Sequence, residues 1–216
     1  MTYNSNFSAF AEFQGLMLVW FFFSFSSFLG PVFSKDSEIL VKQSWELLKK
    51  DTTTNAVIFF TNIFEIAPAA KDFFPFVKNS TVPYEQNAKL KQHATLVFKM
   101  TGDAAVQLGE KGALEALGPG LKKLATKHVT AGVVDAHFEV VKTALLKTIK
   151  ERLPELWSTE LNQAWADAYD ALAGAIKIEM HTQILKAETT GEVETLITKR
   201  ETTGEVETLI TKPETA

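Results

Sequence analysis

The chain has 216 residues, enough for one domain with extensions, and 46% hydrophobic with 22% charged residues is ordinary for a water-soluble globular protein. A net charge of −4 without a large basic block leaves no electrostatic footprint for nucleic acid. The absence of cysteine excludes disulfides, zinc–thiolate centres, iron–sulfur clusters and thiol nucleophiles.

Residues 1–32 read as an apolar extension outside the folded domain. Leu16 to Leu29 form an apolar run closed by Gly30-Pro31. It matches the apolar region of a secretory signal in length and is short for a membrane-spanning helix. Its leading flank carries Glu12 and no Lys or Arg, so the basic region of a signal is missing. A non-native leader, a floppy apolar arm and a targeting role all stay open.

From Ser34 onward the pattern is helical. Ser34 is placed to cap a helix through Ile39, Leu40, Trp45, Leu47 and Leu48. A second apolar-periodic run covers Val57 to Ile66 and stops near Pro68, followed by a turn at 69–74. Prolines, Asn79-Ser80 and Asn87 predict a loop over 75–87. A long helix is expected over about 88–108. Gly109, Gly112 and Gly118-Pro119-Gly120 interrupt the path to a helix carrying His128. Two amphipathic helices are expected over about 135–152, closed by Pro154, and about 158–182. The domain, residues 33–182, is therefore expected to be all-α, with helices too many and too uneven for a simple four-helix bundle. Residues 183–216 read as a repetitive, disordered tail, because the segment Glu188 to Lys199 recurs without change as Glu201 to Lys212.

Two histidines stand out within this pattern. His93 and His128 lie 35 residues apart, each in a helical stretch with an apolar residue four positions away, Val97 and Leu124. Two antiparallel helices could present both imidazoles across an apolar slot, an arrangement suited to a flat iron macrocycle. His137, at a helix start, reads as a packing, capping or subunit-contact residue, and His181 as a favourable charge near a helix C-terminus. No Ser–His–acid arrangement, paired carboxylates or phosphate-binding loop stands out.

The segments Phe64 to Phe74, Lys89 to His93, Gly132 to Lys142, Ala144 to Lys150 and Ala164 to Ala173 resemble the plant globins, both non-symbiotic phytoglobins and leghaemoglobins. The resemblance covers about Phe33 to Met180, in order. It implies a globin fold, a helical sandwich around haem b (iron protoporphyrin IX). His128 corresponds to the proximal iron ligand and His93 to the distal histidine, itself able to bind iron reversibly. Phe60, Phe74, Val97 and Leu124 correspond to haem-lining positions; by themselves Phe60 and Phe74 would be ordinary core residues. Beyond the iron and His93 no catalytic group is implied.

Phe60 is similar to the non-symbiotic class, since leghaemoglobins carry tyrosine there. The loop Val82 to Lys91 resembles the same class. Gly102 departs from it, standing where a cysteine is common, and Pro75 replaces a small polar residue, which puts the family's dimer contacts in doubt. The resemblance implies O2, NO, nitrite and CO as ligands, with nitric-oxide scavenging and nitrite reduction fed by an external electron donor. A leghaemoglobin-type oxygen carrier without turnover is the second reading, and a globin tethered to a membrane by residues 16–29 the third. A monomer or homodimer in the cytoplasm is expected, with the nucleus also open, and without nucleic-acid partners.

Overall fold

A computed structural model describes residues 33–190. The apolar N-terminal run and most of the C-terminal repeat lie outside the described residues. Eight α-helices follow one another among the described residues, with short 3-10 turns and no strand. The expected all-α architecture is therefore what forms.

Helix α1 spans Lys35–Leu48 and starts where the sequence placed it, with the Ser34 hydroxyl accepting the Ser37 N–H at 3.0 Å. Helix α2, Thr52–Ile66, begins earlier than its apolar run because Asp51 caps it. The turn that follows is a 3-10 segment over Pro68–Phe73. The expected loop over 75–87 holds two short elements, helix α3 at Pro75–Lys78 and a 3-10 turn at Tyr84–Gln86. Pro75 occupies the first position of α3, where its fixed φ suits a helix start and its missing N–H costs nothing.

Helix α4, Ala88–Lys111, is capped by Asn87, whose Oδ1 accepts from Leu90 N–H at 3.0 Å. The Asn87 Nδ2 donates to the Phe76 carbonyl at 2.7 Å, so one side chain starts α4 and ties down the segment before it. Gly102 does not interrupt α4. The Trp45 ring lies over it, and a Cβ there would come within 2.5 Å of the indole carbons. The missing side chain thus admits the indole, whose Nε1 donates to Asp103 at 3.0 Å.

Helices α5 at Ala113–Leu117, α6 at Leu121–Thr130 and α7 at Asp135–Arg152 complete the middle of the chain. Helix α8 covers Thr159–Thr190, running past the expected limit of 182 into the start of the repeat.

One continuous core joins these helices, centred on Trp45, Phe59, Phe98, Leu145, Ile149 and Trp165, all almost fully buried. Its buried polar groups are paired. Trp165 Nε1 donates to Ser44 at 2.8 Å, and Asn62 Nδ2 donates to Thr148 at 3.0 Å and Glu151 at 3.1 Å, joining α2 to α7. Helix α2 packs on α4 and α7, and α6 packs on α8. Helices α4 and α6 carry the two marked histidines. No described helix is long and apolar enough to cross a membrane.

Candidate functional site

His93 sits one and a half turns into α4, at the centre of an aromatic cage. Its ring lies 5.5 Å from Phe60, 5.4 Å from Phe74 and 5.8 Å from Phe76, centroid to centroid. These rings reach it from α2, from the junction between the 3-10 turn and α3, and from α3 itself. Phe60 is 3% exposed and meets Phe74 edge to face at 5.5 Å. Phe64 and Tyr84 extend the cluster outward. Val97, one turn beyond His93, is half-buried against the core.

His128 sits in the last half of α6. Its Nδ1 is 2.9 Å from the Leu124 carbonyl, one turn back. A carbonyl only accepts, so Nδ1 carries the proton and donates, which leaves the Nε2 lone pair free. The ring stacks on Phe138 of α7 at 5.7 Å, with 17° between planes. On that same phenylalanine rests the Lys177 ammonium, 5.5 Å from the centroid. The Leu124 side chain is half-buried; its carbonyl is the group that engages His128.

Both imidazoles favour the neutral form. Burial pushes the His93 pKa below the usual histidine value, and the positive charge of Lys127 pushes it further. Lys127 belongs to α6, the helix that carries His128. Burial also lowers the His128 pKa, partly opposed by the bond to Leu124. Neutral imidazole is the form that ligates a metal.

The donor set fits an iron porphyrin. Among the described residues no group of three or more His, Cys, Asp or Glu gathers to hold a bare ion. An oriented, neutral His128 with a free Nε2 and an aromatic wall around His93 suit a metal that brings four ligands with it in a flat apolar frame. A separate groove of about 450 Å³ lies beside α2, lined by Asn62, Glu65, Lys91, Lys147 and Glu151 among others. It contains neither imidazole, and Lys147 in it is already engaged by Glu65 and Glu151.

Phe76 and Phe138 join the site without having been singled out from the sequence. The run Phe73-Phe74-Pro75-Phe76 was a signal for the first, and the position of Phe138 beside His137 gave none for its stacking. His137 behaves as a capping residue: its Nδ1 accepts the Val134 N–H at 3.1 Å, and its ring meets Phe73 at 5.0 Å. His181 is exposed on α8, inside the helix rather than at its end.

Comparison with known proteins bears on the family and the fold. Residues 57–176 match the globin family model. The chain is 58% identical over 151 residues to an anaerobic nitrite reductase of Physcomitrium patens, covering 70% of this chain and 84% of that protein. It is 52% identical over 155 residues to an anaerobic nitrite reductase of Gossypium hirsutum, covering 72% of this chain and 95% of that protein. Among solved structures, the haemoglobin of the botfly Gasterophilus intestinalis shares the fold, with a TM-score of 0.61 at 18% identity over 68% of this chain and 99% of its own.

Proposed function

This chain belongs to the globin family, on its plant phytoglobin branch, and from that membership we propose that it performs redox chemistry on nitrogen oxides at a haem held between His128 and His93. The observation behind this reading is the bond from His128 Nδ1 to the Leu124 carbonyl, which leaves Nε2 free to bind a metal. Support for the reaction comes from the relatives, which are named anaerobic nitrite reductases.

When bound, haem iron supplies the electron that, with two protons, converts nitrite to nitric oxide and water, and with oxygen it oxidises nitric oxide to nitrate. His128 anchors the group, held in one tautomer by Leu124. His93 keeps an N–H donor on the opposite side, where the low dielectric of Phe60, Phe74 and Phe76 strengthens its hydrogen bonds. Those rings also exclude water, which favours reversible oxygen binding. The electron is expected from an external donor, since no glycine-rich nucleotide loop is present in the sequence.

In the resting protein we propose that His93 would itself serve as a ligand to the bound iron, so that a gas would have to compete with it. Phe60 in place of tyrosine supports this: a phenolic hydroxyl beside His93 would give the imidazole a competing partner. The test is the ferrous spectrum of the purified protein, followed by the same measurement on His93→Leu. The expected change is from a six-coordinate low-spin to a five-coordinate spectrum, with carbon monoxide association faster by about tenfold or more, the relief expected when nine-tenths of a site is self-occupied. A five-coordinate wild type would overturn the resting ligation. Failure of the reduced protein to release nitric oxide from nitrite without oxygen, combined with fast oxygen release, would favour the oxygen-carrier reading instead.

A further inference from the structure

Helix α6 carries His128 and packs chiefly on α8. Of its ten residues only Ala125 is buried. Its N-cap is Gly120, with no side chain to accept the orphan N–H groups, and the segment before it is Gly118-Pro119-Gly120. With one buried side chain and no side-chain cap of its own, α6 depends on its neighbour for restraint.

Helix α8 supplies that restraint through Gln183. The Gln183 Nε2 donates to the Lys122 carbonyl at 3.0 Å and to Glu179 at 2.9 Å. Its Oε1 lies 2.9 Å from the Thr126 hydroxyl, whose one proton it shares with the Lys122 carbonyl, also at 2.9 Å. Both amide protons and the carbonyl are therefore used. Lys122 and Thr126 are one turn apart, so a single amide spans a full turn of α6. They lie on the side of α6 away from His128, and the grip comes from behind the imidazole.

The tie joins Gln183, beyond the match to the family model that ends at residue 176, to Lys122 and Thr126 inside it. It exists because α8 continues to Thr190. Met180 and Ala187 are 3% and 6% exposed, and with Gln183 they occupy one helical face that is turned onto the protein.

We propose that Gln183 is a positioning residue: through Lys122 and Thr126 it holds α6 in register and so fixes His128 where it grips the cofactor. This rests on the reading of His128 as the iron ligand. A direct tie between the end of the last helix and the proximal helix makes the extension part of the site's support.

The test uses the full-length, haem-loaded protein and compares Gln183→Ala and Thr126→Val with the control Ile184→Ala, an exposed α8 residue outside the tie. Two rates are read: hydrogen exchange of the backbone over residues 121–130, and transfer of hemin from the ferric protein to an excess of an apo-globin acceptor. Both are expected to rise about threefold to tenfold in either tie variant, equivalent to about 0.7–1.4 kcal/mol. The double variant should add little to Gln183→Ala alone, since the Thr126 contact is already lost there. Rates no different from the control overturn the proposal, as does a lowered Tm with both rates unchanged, which would assign Gln183 to stability alone. A wild type that shows no Soret band with hemin would sink the reading of His128 instead, and the exchange measurement would still decide the tie.

Discussion

The two sides of the proposed site are built by different means. On the His93 side, a 24-residue helix and rings from neighbouring elements enclose the imidazole by bulk. On the His128 side, a ten-residue helix relies on directional contacts: one carbonyl on Nδ1, one stacked ring and the amide of Gln183 on its back. Burial is non-directional and scales with area, so it makes a wall. Hydrogen bonds cost little to form and much to misplace, so they aim a donor atom. A site that must exclude water on one side and hold a metal on the other has use for both.

The largest expected effect comes from removing the aimed side altogether. His128→Ala should leave a folded protein that retains no haem, seen as loss of the Soret band after gel filtration. A variant that kept wild-type colour would mean the aromatic wall and His93 suffice, and the division drawn between the sides would be wrong. Weakening the wall is expected to act on stability first. Asn87→Ala removes the cap of α4 and the donor to Phe76 together, and should lower unfolding stability by about 1–2 kcal/mol in urea titration. The same measurement with Gly120→Ala should show a much smaller change, since no side-chain cap exists at the start of α6.

The smallest effect concerns His137, which sits between the two sides. Burial lowers its pKa below the usual value of about 6.5, so the native ring binds its proton less readily than the unfolded one. Its contribution is present above about pH 6.5 and is lost as pH falls through the native value, where protonation of Nδ1 also ends acceptance from Val134. The melting temperature of the loaded protein should therefore decline with acidification in that range, and His137→Gln should flatten the decline. A slope unaffected by the substitution would place the acid sensitivity elsewhere.

Much of this was legible in the chain because local chemistry and tertiary packing agree. Asp135–Arg152 forms over the range the apolar period and Pro154 indicate, and Ser34 caps the helix it precedes. Where they disagree, the sequence misleads. The repeat beginning at Glu188 looks unlike a helix, rich in threonine and glutamate, yet Met180, Gln183 and Ala187 find a partner surface that carries α8 to Thr190. That surface belongs to residues some sixty positions earlier, as the Gln183–Lys122 bond shows, and no local pattern reports it. The candidate site divides the same way. Helical spacing marks His93 and His128, but the convergence of Phe60, Phe74 and Phe76 on one ring is a product of folding. Only family resemblance had given Phe60 and Phe74 a place, and nothing had given one to Phe76 or Phe138. Gly102 reads in sequence as a weak point of its helix; in the fold it is the berth for Trp45.

The bond between His128 and its own helix has a kinetic corollary. A ligating side chain normally surrenders rotamer freedom at the moment of capture, a loss of about 0.5–1.5 kcal/mol. Here the torsions are settled when the chain folds, since the Leu124 carbonyl already holds the ring. Loading should then proceed as docking onto a waiting atom, its pace governed by how often the phenylalanines around His93 part to admit a planar guest.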